Sequence, residues 1–253
     1  MEIKVNKDIY IGLKELMKQE GLKSMSAAVD YAVQKSLLPD EIIDLLSADN
    51  KSRKTQDQWI SYFNNLNQRM IASYDLLKTD KITPETFRSI RQDCIDSVII
   101  TSTRNSYNPK NLSGKITHNY GSTIVTPTII FCGSTVVKPT IIPLDNIPVY
   151  EGTSLTKVVG NSDGLKYLKA LANDANAGPL YLLNNFEKLA NKEADKILIW
   201  TPDQNSRAQN PERALRFLDV NGGFHVFGDS GLINDGRSRG VLKKKSGEAA
   251  AQK

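Results

Sequence analysis

The chain has 253 residues, 40% of them apolar, and a formal net charge of +5. That length favours one or two domains, and that apolar fraction suffices for a real core. The mild positive charge permits a polyanionic partner without demanding one. Two cysteines, Cys94 and Cys132, lie far apart in sequence, so neither a disulfide framework nor a Cys/His metal site is expected. No apolar run approaches the ~20 residues of a membrane span. The chain opens directly on a strand pattern, so no signal peptide is expected. These features together predict a cytoplasmic protein with no membrane partner.

In chain order, Met1, Ile3 and Val5 alternate with Glu2, Lys4 and Asn6. Period two makes a strand with one apolar and one polar face. Asn6 is a suitable helix cap, and Ile9, Leu13, Leu16 and Met17 recur at helical spacing. Gly21 ends that helix. Ser26 caps a second helix striped by Ala28, Val29, Ala32, Val33 and Leu37, and Pro39 stops it.

This strand, helix, G-x-x-S-x-S turn and helix resemble the ribbon-helix-helix family of Arc/MetJ-type DNA-binding proteins. The resemblance covers 38 of the 253 residues. It implies a homodimer or higher oligomer on double-stranded DNA, with two strands paired as a ribbon in the major groove. It also implies that Glu2, Lys4 and Asn6 read base edges. Ser24, Met25 and Ser26 would meet a phosphate at the second helix's start. Two departures stand out: Met25 occupies a position where the family often has Arg, and Glu2 puts an acid on the reading face. Lys4, Lys7, Lys14, Lys18, Lys23 and Lys35 are nearly balanced by Glu2, Asp8, Glu15, Glu20 and Asp30. Affinity would therefore depend on dimerisation and phosphate geometry more than on net charge.

Residues 39–96 read as a helical connector. A short helix is expected over Glu41–Ser47, then a basic linker, Ala48–Lys54. Thr55–Leu77 is the longest helical pattern, with Trp59, Phe63, Leu66, Met70, Ser73 and Leu77 spaced by fours and threes. It fits either a coiled coil extending the dimer or an amphipathic helix on its own domain's core. Thr83 and Pro84 start a helix to Asp96, with Phe87, Ile90 and Cys94 inward.

Residues 97–235 read as an α+β domain, making the whole chain α+β. Val98–Thr101 is a strand pattern and Asn105–Tyr120 a long loop. A duplicated β element follows over residues 121–142: GSTIVTPTII from Gly121, then GSTVVKPTII from Gly133. Pro127 and Pro139 place each copy at an edge or bulge, with a turn at Cys132-Gly133. Ile147–Tyr150 and Lys196–Trp200 read as strands, and Gly164–Asn173 and Gly178–Asn191 as helices. Glu212–Leu218 reads as a helix opened by Asn210-Pro211, and Phe224–Phe227 as a strand. Residues 236–253, with Arg237, Arg239, Lys243, Lys244 and Lys245, read as a flexible basic tail. The Gly-rich stretch Gly222–Gly240 reads as surface turns, or as a segment whose backbone amides bind a ligand or phosphate.

The sequence holds no phosphate-loop motif, no strand-linked G-x-G-x-x-G and no triad spacing. No catalytic residue, metal site or cofactor is predicted. The expected role is transcriptional repression, or a plasmid or viral partition or replication accessory. Two other classes stay open. One is a nuclease in residues 97–230, using Glu193, Asp195 and Lys196 with Asp145, Glu151 or Asp203. The other is a structural assembly protein built on the duplicated β element.

Overall fold

A computed structural model describes residues 44–45, 53–78, 82–107, 116–117, 123–124, 127–132, 139–209 and 212–242. The ribbon-helix-helix expectation for residues 1–38 lies outside the described residues. The described residues belong to one compact unit.

The first elements are β1 (Asp44–Leu45), β2 (Lys54–Thr55), α1 (Gln56–Asn65), β3 (Gln68–Met70), α2 (Ser73–Leu77) and α3 (Pro84–Asp96). Next come β4 (Ile99–Ser106), β5 (Ile116–Thr117), β6 (Thr123–Ile124), β7 (Thr128–Phe131), β8 (Thr140–Pro143) and β9 (Glu151–Ser154). Three helices follow, α4 (Leu155–Val159), α5 (Ser162–Leu171) and α6 (Pro179–Ala190). The last elements are β10 (Ile197–Trp200), α7 (Gln204–Gln209), β11 (Glu212–Val220), β12 (Gly223–Ser230), β13 (Ile233–Asn234) and β14 (Gly240–Leu242).

The architecture is α+β around a seven-stranded mixed sheet of order β8-β7-β4-β11-β12-β10-β9. Its pairs are antiparallel except β10 with β12, which run parallel. The sheet has two unlike faces. Ile99 and Ile100 are adjacent in β4, yet they sit in different cores, one on each side. The larger core joins Ile99, Phe217, Phe224, Val226 and Ile199 to Leu76, Phe87, Leu168 and Phe186 of the helices. The smaller core joins Ile100 and Ile130 to Trp59, Ile60 and Phe63 of α1.

Several sequence expectations hold. Thr83 caps α3 through the Thr86 amide, Pro84 is in the first turn, and Phe87, Ile90 and Cys94 are buried. The helix α6 and the strand β10 fall where their patterns placed them. In the duplicated element, Thr128–Phe131 pairs antiparallel with Thr140–Pro143, and β8 is the outer strand expected of the second copy, whereas β7 of the first copy lies inside the sheet between β8 and β4. Cys94 and Cys132 are buried free thiols.

Others are corrected. Residues 39–96 are not helical throughout: Asp44–Leu45 is a strand paired with Gly240–Val241, where a helix was expected. The long helix over 55–77 stops at Asn65, because Asn67 takes a left-handed backbone (φ 58) and Gln68–Met70 joins β14. Its stripe breaks at Leu66, which is 48% exposed. Trp59 and Phe63 therefore pack on their own unit's core, as the second of the two readings had it, and the long continuous helix needed for a coiled coil does not form. Asn105 and Ser106 end a strand instead of starting a loop. The strand expected at Ile147–Tyr150 begins at Glu151.

The largest correction is Glu212–Val220, a central strand and not a helix. Asn221 (φ 53) and Gly222 (φ 78) are both left-handed, as a two-residue primed turn requires. That turn pins Val220 opposite Gly223 and overrides the helix-start signal of Pro211.

Nor do residues 236–242 form a tail. The Arg237 backbone exchanges hydrogen bonds with Val98 and Ile100 at 2.8 Å each. Asp93 of α3 accepts from Arg237 Nη1 at 2.7 Å and from Arg239 Nε at 2.8 Å. Arg239 is 1% exposed and also donates to Ser89 Oγ at 2.6 Å. Breaking a buried ion pair from one side leaves an uncompensated charge, which costs about 3–5 kcal/mol. Asp93→Ala is therefore expected to lower unfolding free energy by about that much in urea titrations. A loss under about 1 kcal/mol, the range of an exposed pair, would contradict this role.

Candidate functional site

The residues that sequence selects for DNA contact, Glu2, Lys4, Asn6, Ser24, Met25 and Ser26, lie outside the described residues. So do Lys243, Lys244 and Lys245. The carboxylates considered for metal chemistry are described, and they do not converge. Asp145 holds Lys166 at 2.9 Å, and Asp203 accepts from the Ser206 amide at 2.7 Å. That amide, with further bonds from Ser206 and Asn205, keeps the Asp203 carboxyl below its usual range. Glu151 lies on the outer strand β9, and Glu193 caps a single 3-10 turn that contains Asp195 and Lys196. Among the described residues no group of three His, Cys, Asp or Glu could hold a metal ion.

A different site emerges from the sheet's second face. Helix α1 is built by a capping box: Thr55 Oγ1 accepts from the Gln58 amide at 3.1 Å, and Gln58 Oε1 from the Thr55 amide at 2.7 Å. It is anchored by Arg104 of β4, which is wholly buried. Arg104 donates to Gln56 Oε1, to Asp57 Oδ1 at 2.6 Å and to Glu212 Oε2 at 3.4 Å. Burial raises the Glu212 carboxyl's pKa, and the Arg104 charge opposes that rise. Anchored there, α1 packs over Ile100 and Ile130. Further along the same face, Leu198, Trp200, Arg216, His225 and Phe227 remain only half-buried.

Register brings these residues together. Leu198 pairs with His225, Trp200 with Phe227, and Arg216 with Phe227 from the other side. Trp200 Nε1 donates to His225 Nδ1 at 2.9 Å, and the two ring planes are within 15°. An indole N–H lies in its ring plane, and so does the imidazole lone pair. The 5.9 Å between centroids is thus an edge-to-edge joint that makes one nearly flat surface, not a face-to-face stack. Phe227 lies 5.4 Å from His225 and 5.7 Å from Trp200, within 12° and 21° of their planes.

The indole is seated by a glycine. Gly152 of β9 has φ 62, and a Cβ there would come 2.8 Å from Trp200 Cζ2. The indole thus reaches from Gly152 on β9 across its own strand to His225 on β12. Below Phe227, the Gly228 carbonyl accepts from Asn105 Nδ2 at 2.9 Å and Tyr107 OH at 2.8 Å, which fixes the strand on its other side.

His225 acts as a fixed acceptor. The indole N–H can only donate, so Nδ1 is unprotonated and Nε2 carries the hydrogen. Burial lowers the imidazole's pKa from 6.5, against opposing pulls from the Val220 backbone and the Asp219 carboxylate. Arg216 Nε donates to Ser230 Oγ. Burial lowers its pKa, and Asp229 opposes the shift. Its terminal nitrogens have no partner among the described residues.

A cavity of about 640 Å³ lies elsewhere, beside Pro143, Leu144 and the helix α5. Its lysines are engaged, Lys166 by Asp145 and Lys169 by the Ala175 carbonyl at 3.2 Å.

No family model matches this chain, and neither does any curated protein or solved structure. Sequence reading missed the aromatic site, although the signal was present: G-F-H-V-F alternates, placing His225 and Phe227 together opposite Phe224 and Val226.

Protonating Nδ1 would replace the acceptor with a donor and break the joint to Trp200. The folded pKa lies below the ordinary 6.5, so the unfolded chain takes up the proton first. The stability held above pH 6.5 is then lost as pH falls through the lower folded value. In a Trp59→Phe protein, Trp200 emission is expected to titrate with a midpoint below 6.5 and to stop titrating in His225→Phe. A midpoint at or above 6.5 would contradict the assignment.

Proposed function

We propose that the chain is a homodimeric, sequence-specific DNA-binding protein acting as a transcriptional regulator or as a partition or replication accessory. One observation carries the reading. Within 38 residues, strand alternation, three cap or stop residues (Asn6, Gly21 and Ser26) and two helical stripes agree on one order of elements. In that order the polar strand positions Glu2, Lys4 and Asn6 face base edges. The turn at Ser24, Met25 and Ser26 supplies backbone N–H groups to a phosphate. The apolar positions Ile3 and Val5 point the other way, into a core that a second copy completes. No helix among the described residues is long and apolar enough to cross a membrane. The compact α+β unit is the body that this DNA reader carries.

The experiment is selection of bound sequences from random duplexes at stated salt, followed by titration of the preferred site. Lysine can donate to guanine O6 and N7, a contact worth ~1–3 kcal/mol of discrimination. Lys4→Ala should weaken specific binding about tenfold and leave thermal melts within about 0.5 kcal/mol of wild type. Val5→Asp should instead bury a charge and unfold the N-terminal unit. Wild-type affinity in Lys4→Ala would remove the strand from the groove and refute the proposal.

A further inference from the structure

We propose that the aromatic surface made by the Trp200–His225 plane, with Phe227 offset and nearly parallel beside it, binds an unpaired base of a single-stranded nucleic acid, with Arg216 on an adjoining phosphate. The inference rests on the sheet and is independent of the duplex reading of residues 1–38.

The surface has the attributes that stacking requires. Its plane is fixed before any ligand arrives, by the 2.9 Å Trp200–His225 bond and by the glycine seat at Gly152. A preorganised plane loses little conformational freedom on binding. All three rings are half-buried: gripped by the sheet, yet not covered by α1. Every base has a π-face, so such a surface takes bases with little sequence preference.

Charge selects among flat or apolar ligands. Arg216 stands in register beside Phe227, and its terminal nitrogens have no partner among the described residues. Asp229 acts on that guanidinium through its charge without taking a hydrogen bond from it, so the terminal donors stay available to a phosphate, which a neutral sugar ring does not provide. On the opposite border, Glu151 pairs in register with Trp200 and is exposed. A phosphate backbone would therefore pass on the Arg216 side and avoid β9. The net charge of +5 adds long-range attraction. Within a duplex, base faces are covered by their neighbours, so this surface selects single strands.

The test uses the full chain and a fluorescein-labelled 12-mer of oligo(dT), followed by anisotropy at fixed salt. Trp200→Ala should weaken binding at least about fivefold, whereas Trp200→Phe, which keeps a ring but loses the bond to His225, should fall between wild type and Trp200→Ala. An abasic oligomer of equal length should bind more weakly than oligo(dT), and unlabelled blunt hairpin duplex should not displace oligo(dT). Circular dichroism melts establish that each variant is folded. Should Trp200→Ala fail to fold, Trp59→Phe protein gives the second readout: oligo(dT) should quench the remaining Trp200 emission. Absence of oligo(dT) binding, equal binding of the abasic oligomer, displacement by duplex, or wild-type affinity in folded Trp200→Ala would each overturn the proposal. Absence of quenching would do the same. Failure of duplex selection at the N-terminal unit would leave every one of these outcomes unaltered.

Discussion

The buried guanidinium of Arg104 is the interaction on which the two-faced sheet depends. A fully desolvated arginine is tolerable only when its donors are matched, and here one guanidinium serves Gln56, Asp57 and Glu212 together. Those partners come from helix α1 and strand β11, so a single cation ties a helix to two neighbouring strands. Asp57 and Glu212 carry two negative charges against one positive. The raised Glu212 pKa is the local consequence of burial, which the arginine only partly offsets. Fixing α1 over β4 and β7 decides what it covers and leaves the aromatic half of the same face accessible. Full burial on one half and partial burial on the other thus share a cause.

A second tie closes the unit from the far end of the chain. Asp93 gathers Arg237 and Arg239, and the backbone between them continues the sheet contacts of Val98 and Ile100. In this way α3 and the last described segment share one carboxylate. The two ties are complementary: Arg104 serves acceptors on two separate elements, whereas Asp93 of α3 serves two arginines of one segment.

Local chemistry was the legible part of the sequence. Thr83-Pro84 announced α3, and the I-L-I-W run announced β10, because caps and apolar runs act through near neighbours. The strand β11 was misread since Asn210-Pro211-Glu212 imitates a helix start. Asn221-Gly222 between two alternating segments is the stronger signal, because a two-residue hairpin turn fixes strands on both sides of it. Arg237 and Arg239 looked like a solvated tail because nothing nearby in sequence reveals that Asp93 will meet them. The aromatic surface was half legible. Alternation puts His225 and Phe227 on one face, but only the strand register brings Trp200 beside them. Only the position of α1 decides that this half stays open.

The chain's two tryptophans report, within one spectrum, whether the Trp200–His225–Phe227 surface meets a ligand base. Trp59 is 1% exposed on the buried face of α1, and Trp200 is half-buried on the part of the sheet that α1 does not cover. In a proton–nitrogen correlation spectrum of the full chain titrated with oligo(dT), the two indole N–H signals report separately. If a base stacks there, the Trp200 signal shifts saturably and the Trp59 signal stays unmoved. A Trp200 signal that stays in place while the oligomer binds, or equal shifts of both signals, would contradict stacking at this surface.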